Sequence, residues 1–118
     1  MEESSKNVKV LFDNILLKDD KIHYPDDQVA WLDCFPIGNL VFGVINETDQ
    51  ILTVQPIGRA GGALGSLGSA TSVAANSESI VCLGLQTYWS PYISVSIKAA
   101  SEPSSGGRVT VYVIWRNR

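Results

Sequence analysis

The closing stretch of the chain, Trp89 to Arg118, constrains the fold more than any other segment. In Ile93-Ser94-Val95-Ser96-Ile97-Lys98 apolar and polar residues alternate strictly. That period of two belongs to an extended strand. It puts Ile93, Val95 and Ile97 on one face and Ser94, Ser96 and Lys98 on the other. Ser101-Glu102-Pro103-Ser104-Ser105-Gly106-Gly107 supplies turn residues, and Val109-Thr110-Val111-Tyr112-Val113-Ile114-Trp115 is a second β-branched and aromatic run. Together they read as one β-hairpin. Its apolar face needs a second layer to be buried against, and in an all-β chain that layer is another sheet.

The rest of the chain follows the same pattern. Strand candidates are Val8–Phe12, Ile15–Leu17, Val29–Phe35, Leu40–Ile45, Ile51–Ile57, Ile80–Leu85, Tyr92–Ala99 and Val109–Trp115. Asp19-Asp20, Pro25-Asp26-Asp27, Pro36-Ile37-Gly38-Asn39 and Asn46-Glu47-Thr48-Asp49 separate them as turn clusters. Short strands about ten residues apart, without an amphipathic helical stripe, predict an all-β fold. The expected form is a β-sandwich or jelly-roll-like arrangement of about eight antiparallel strands. With 118 residues the expectation is a single sandwich domain over 1–118, with 1–7 as a flexible N-terminal arm. Gly58 to Ser79, with five glycines between Gly58 and Gly68, reads as a long loop. Val73-Ala74-Ala75 is a short strand candidate near its end, followed by a turn at Asn76-Ser77.

Composition excludes several classes. Hydrophobic residues at 45% and charged residues at 18% are incompatible with wholesale disorder. No apolar run approaches the roughly 20 residues of a membrane-spanning helix. Met1-Glu2-Glu3-Ser4-Ser5-Lys6 has no apolar core of a secretory signal, so the expected site of synthesis is a cytosol-like compartment. Cys34 and Cys82 are separated widely enough for an inter-sheet disulfide, but no tryptophan lies between them as immunoglobulin-type sandwiches require. Two free, buried thiols are the preferred expectation. Asn46-Glu47-Thr48 matches a glycosylation sequon and is read as a turn. Ten of the twelve acidic side chains fall in residues 1–50, whereas five of the nine basic ones fall in 51–118. The preferred reading of this asymmetry is solvated loops of either sign, with acidic-to-basic packing between copies as the alternative.

No constellation for catalysis, cofactor binding or metal binding emerges. The glycine stretch lacks the Gly-Lys-Ser/Thr end of a phosphate loop and has no βαβ unit around it. His23 is the only histidine, with no nucleophile elbow beside it. Asp19-Asp20 and Asp26-Asp27 lack the spacing of a calcium loop and read as solvated turns. Scattered basic residues without aromatic interleaving argue against nucleic acid. The candidate interface or ligand surface is aromatic: Tyr88, Trp89, Tyr92 and Tyr112, with Arg59. Tyr88-Trp89-Ser90-Pro91-Tyr92 leads into a strand and can cap one end of a sandwich, while Trp115 continues the face of Val109, Val111 and Val113.

Four segments carry a family resemblance: Phe42-Gly43-Val44-Ile45-Asn46-Glu47-Thr48-Asp49-Gln50-Ile51-Leu52-Thr53-Val54-Gln55-Pro56-Ile57-Gly58, Val73-Ala74-Ala75-Asn76-Ser77, Trp89-Ser90-Pro91-Tyr92-Ile93-Ser94-Val95 and Pro103-Ser104-Ser105-Gly106-Gly107-Arg108-Val109-Thr110-Val111. Over roughly residues 40–115 the chain resembles the small β-sandwich virion proteins of phages and prophages, of the capsid decoration or tail accessory type. The resemblance implies a structural, non-enzymatic protein that forms homo-oligomers and attaches to other virion proteins. It also implies residence in the virion after synthesis in the host cytoplasm. A carbohydrate-binding sandwich module using Tyr88, Trp89 and Tyr92 is the alternative.

Overall fold

A computed structural model describes residues 7–25, 31–104 and 106–118. Nine strands form: β1 (Val8–Leu17), β2 (Leu32–Asp33), β3 (Ile37–Asn46), β4 (Leu52–Ala60), β5 (Ala63–Ser66), β6 (Thr71–Val73), β7 (Ser77–Leu83), β8 (Tyr92–Ala99) and β9 (Gly107–Asn117). They build a four-stranded sheet, β1-β9-β3-β7, and a five-stranded sheet, β2-β8-β4-β5, in which β6 also pairs with β4. Every pairing is antiparallel. The protein is an all-β sandwich.

The inner faces follow from the alternation. Leu40, Phe42 and Val44 of β3, Val81 and Leu83 of β7, and Val109, Val111 and Val113 of β9 are buried. Opposite them lie Leu52 and Val54 of β4 and Ile93, Val95, Ile97 and Ala99 of β8 in the same apolar cluster. Burying each valine, leucine, isoleucine or phenylalanine side chain contributes about 1.5–3 kcal/mol. This shared core therefore dominates the cohesion of the two sheets.

The expected closing hairpin does not form. β8 lies between β2 and β4, whereas β9 lies between β1 and β3 in the other sheet. Ala100–Gly106 thus crosses from sheet to sheet instead of turning back. Seven residues span up to about 23 Å when extended, ample for the roughly 10 Å between stacked sheets. The alternation sets which side chains face inward, and that is the same whether the two strands pair or face each other.

The crossing is anchored on the β3–β4 turn. The Ser104 N–H donates to Asp49 Oδ1 at 3.2 Å, and the Ser104 hydroxyl donates to Asp49 Oδ2. These bonds, the hydroxyl's first, hold the Asp49 carboxyl below the usual carboxylate range. Asp19 is lowered likewise, chiefly by its hydrogen bond to His23. A carboxyl depressed in the folded state stabilises above its unfolded pKa, and that stabilisation is lost as pH falls through the folded value. Ser104→Ala should raise the Asp49 titration midpoint toward its ordinary value, read by NMR, and leave that of Asp19 in place.

Where β9 begins, Gly107 passes against the same turn. A Cβ there would lie 2.4 Å from the Glu47 carbonyl oxygen and 2.4 Å from Thr48 Cα. Both are backbone atoms that cannot rotate away. Gly107→Ala should therefore cost about 1–3 kcal/mol, as overpacking does. The measurement is a lower urea midpoint with an unchanged m-value.

Several expected boundaries are corrected. Val8–Phe12 and Ile15–Leu17 are one strand interrupted by irregular register, with Asn14 at φ 50°. Asparagine tolerates this left-handed conformation, so a bulge forms at Asp13-Asn14 and the strand continues. Gly58–Ser79 is not a loop. Gly58–Ala60 completes β4, the two-residue Gly61-Gly62 turn leads into β5, and β6 and the start of β7 follow. The short strand is Thr71–Val73, with its turn at Ala75-Asn76. Asn76 has φ 51°. Pro36 stays in a turn, but Ile37–Asn39 belong to β3. Of Val29–Phe35 only Leu32–Asp33 is strand, and residues 29–30 lie outside the described residues. The expected arm at residues 1–7 falls mostly outside them too, although the Asn7 carbonyl accepts from the Trp115 N–H at 3.0 Å. Asp26-Asp27 is outside as well.

Candidate interaction surface

Of the five aromatic and cationic candidates, Arg59 and Tyr92 lie on the five-stranded sheet, Tyr112 on the four-stranded sheet, and Tyr88 and Trp89 in the connection between β7 and β8. Arg59 and Tyr92 are register partners on β4 and β8. The Arg59 guanidinium carbon lies 4.7 Å from the ring centroid of Trp31 and 5.6 Å from that of Tyr92. Such cation–π geometry contributes about 0.5–2 kcal/mol, increasing with desolvation. Trp31 is buried, and its carbonyl accepts from Lys9 Nζ at 2.7 Å, which ties β1 across the open side of the sandwich. Trp89 meets Phe35 edge to face, with centroids 5.5 Å apart, and its Nε1–H donates to the Cys34 carbonyl at 3.4 Å. The Tyr88 ring lies about van der Waals distance from a Cβ built at Gly68. Tyr112 stands apart from all four, on the outward face of the four-stranded sheet.

Phe35 is a member of this aromatic end that the sequence does not single out, whereas Trp31 is one of the aromatics that could line a stacking surface by residue type alone. Trp31 precedes β2 and Phe35 follows it, and both reach Arg59 or Trp89 only through sheet pairing. No local spacing encodes those contacts.

The outward faces of the two sheets differ sharply. On the five-stranded sheet the outward side pairs Thr53 with Lys98, Gln55 with Ser96 and Ile57 with Ser94, and of these Ile57, Ser94 and Ser96 are buried. An open groove of about 380 Å³ runs there, floored by Thr53, Gln55, Ile57 and Ser96 and flanked by Ile22, Tyr24 and Leu64. Antiparallel sheets with one solvated face ordinarily carry polar residues on that face.

The four-stranded sheet breaks that rule. One outward row crosses all four strands as Val8, Ile114, Val41 and Cys82, and the next as Val10, Tyr112, Gly43 and Ile80. These eight residues carry no charge. Val8, Val10, Ile80 and Ile114 are exposed, Ile80 by 66%. The Tyr112 ring lies over Gly43, where a Cβ would come within 2.2 Å of its Cζ. Glycine thereby lets the ring lie flat and close the centre of the face. The charged side chains of the outward rows lie toward the ends, Arg116 beside Asn39 at one, and Glu78 beside Ile45 with Arg108 just beyond at the other.

Both cysteines are free, but the expectation that both are buried is corrected: Cys34 is buried and Cys82 is exposed. Cys82 occupies an outward position of β7, an edge strand, between inward Val81 and Leu83. Burial, with Asp33 nearby, pushes the Cys34 thiol up to about 12. In dilute solution at pH 8 one thiol per chain should react with a disulfide reagent, and the second only after unfolding.

The sequence matches no known family profile, and no curated protein matches it. Solved structures similar to the chain include the following two. The PBSX exported protein XepA aligns over 94% of this chain with a TM-score of 0.66 at 15% identity. This chain covers 37% of XepA, so it corresponds to about a third of that protein's length. PirA aligns over 93% of this chain and 85% of its own, with a TM-score of 0.46 at 13% identity. The likeness to XepA is one of fold.

Proposed function

We propose that this protein is a structural accessory of a phage particle, of the capsid decoration or tail accessory type, working by self-association and attachment to a lattice of other virion proteins. The observation that carries this is the pair of uncharged central rows on the outer face of the β1-β9-β3-β7 sheet, with Val8, Val10, Ile80 and Ile114 exposed. Contiguous apolar surface of this kind on a sheet marks a protein-interaction site. The fold shared with XepA, an exported protein of the phage element PBSX, and the resemblance of residues 40–115 to small virion sandwiches support the same reading. Residence in the virion after synthesis in the host cytoplasm belongs with it, and no catalytic step is assigned.

The test is quantitative mass spectrometry of particles purified from a host that carries the gene. The protein should co-purify at a fixed copy number relative to the major structural protein. Its absence from particles, with normal expression in the cell, would overturn the reading.

A carbohydrate-binding module is the second reading, favoured by the polar-floored groove beside Tyr24 and by the aromatic end at Tyr88, Trp89 and Tyr92. Titration with oligosaccharides, followed by tryptophan fluorescence, decides it. A saturable change lost in Trp89→Ala supports this second reading.

A further inference from the structure

We propose that the groove on the outer side of the five-stranded sheet binds an acidic sugar, a pyranose unit carrying one carboxylate. This deepens the carbohydrate reading above and rests on it for the premise that a saccharide is bound at all.

The walls of the groove are fixed by the fold. On one side the His23 N–H donates to the Ile97 carbonyl at 2.8 Å, and the Ile97 N–H donates to the His23 carbonyl at 3.1 Å. This bridge to β8 sets Ile22 and Tyr24, the neighbours of His23, along the groove. On the other side the Leu67 N–H donates to the Pro56 carbonyl at 2.9 Å. Gln55 Nε2 donates to the carbonyls of Pro56 and Gly68 at 2.8 and 3.3 Å. These bonds hold the β5 ribbon, and Leu64 with it, against β4. A site ordered before the ligand arrives loses less entropy on binding.

The floor carries hydrogen-bonding capacity that the fold does not use. Ser96 is only 8% exposed and lines the groove, yet its hydroxyl has no hydrogen-bond partner among the described residues. Buried hydroxyls are ordinarily partnered, so this one points to a polar group arriving from the groove. The Thr53 hydroxyl has no such partner either. Gln55 gives its amide N–H groups to carbonyls, which leaves Oε1 as an acceptor without a described donor.

Above this floor Ile22, Tyr24 and Leu64 are each more than half exposed or close to it. A purely apolar ligand would strand the floor hydroxyls, and a purely polar one would leave these three walls unmatched. A pyranose has both surfaces: a rim of hydroxyls and a face of C–H groups that suits the negative face of an aromatic ring. The volume of about 380 Å³ falls within the range of small-molecule sites.

Charge selects the acid. Lys98 is the one charged side chain among the described residues lining the groove, and it is exposed, without an ion pair to any described residue. The charges nearby do not line the groove. Asp19 accepts from His23 Nε2 at 2.8 Å and from the Lys21 N–H at 3.1 Å, and Asp20 and Lys21 lie on that same segment. At the far end the Arg59 guanidinium lies over Trp31 and Tyr92, and Asp33 accepts from the Phe35 N–H. One ammonium compensates one negative charge. A phosphate monoester brings about −1.5 to −2 and would leave part of it unpaired, whereas a carboxylate is matched.

The experiment is an amide NMR titration of the full chain with a galacturonate trisaccharide and, separately, with the neutral glucose trisaccharide maltotriose. Saturable shifts at Thr53, Gln55, Ser96 and Lys98 are expected with the acidic probe, weakening as salt is added. The neutral probe should bind at least about tenfold more weakly, since a hydrogen bond to a charged group is worth more than a neutral one. Lys98→Gln should bring the acidic probe down to the neutral level, and Trp89→Ala should leave both unchanged. Equal affinity for the two probes overturns the inference, as does acidic binding indifferent to Lys98→Gln or the absence of saturable shifts at the groove. Its failure differs from that of the carbohydrate reading. A saturable tryptophan response to sugar that is lost in Trp89→Ala, with the groove amides unmoved, removes only the groove. No response to either sugar by either readout removes both.

Discussion

Phe42→Ala should lower stability by about 3–5 kcal/mol, the largest single-site loss expected for this chain. Phe42 is fully buried on β3, a central strand whose neighbours are β9 and β7. Its register partners, Val113 and Val81, are inward and buried as well. Truncation removes the transfer energy of the ring and leaves a cavity that strands hydrogen-bonded on both sides cannot collapse to fill. For a domain near this size each kcal/mol moves the melting temperature by roughly 3–6 °C. Calorimetry should therefore record a fall of more than about 10 °C. Phe42→Leu, which keeps most of the volume, should cost less than about 1.5 kcal/mol. A fall of only a few degrees for Phe42→Ala would mean that the centre of the core is not where the sheets meet.

Asn46→Ala should come next, at about 3 kcal/mol or more, for a polar reason. The side chain is fully buried at the end of β3. Its amide nitrogen donates to the carbonyls of Gln50, Val73 and Ala74 at 2.9, 3.3 and 3.0 Å. Its amide oxygen accepts from the Thr48 N–H at 3.0 Å and the Thr48 hydroxyl at 2.8 Å. One residue thus closes the β3–β4 turn and ties it to β6 in the other sheet. Alanine strands several buried groups at once, and each unsatisfied group costs about 1–3 kcal/mol. Asn46→Asp separates this role from mere shape. At neutral pH an isosteric carboxylate faces three carbonyl oxygens with no proton to give. It should destabilise at least as much as alanine, and the gap to the parent should narrow in acid as the carboxyl gains a donor. Chemical denaturation at pH 7 and pH 4 measures both. The sequon nitrogen at Asn46 is thus engaged in structure.

Much of the fold was legible because it is written locally. The inward set of β8 and β9 is read directly from every second residue. The turn at Asn46–Asp49 was read from its side chains, although its buried amide hub was not, since Val73 and Ala74 are far off in the chain. The Gly58–Ser79 stretch was misread because glycine and serine signal flexibility. Here Gly61-Gly62 serves a tight turn between paired strands, and the ribbon keeps small, exposed residues because one side of it meets solvent.

The candidate surface was less legible. Tyr88, Trp89, Tyr92 and Arg59 were found through residue type, but their companions Trp31 and Phe35 depend on β2 lying beside β8. Of the outer face of the four-stranded sheet only Tyr112 was legible. Val8, Val10, Ile80 and Ile114 are isolated exposed residues along the chain and become one surface only when β1, β7 and β9 join β3.

The alternation of Ile93 to Lys98 and of Val109 to Trp115 settles that these are strands and which of their side chains are buried, because a period of two is a property of each strand alone. Whether those strands pair or face one another was decided by the tertiary structure. Strand order also brought four scattered aliphatic residues, Val8, Val10, Ile80 and Ile114, onto one exposed face. Strand order arises from contacts between distant segments, and no window of sequence contains both partners.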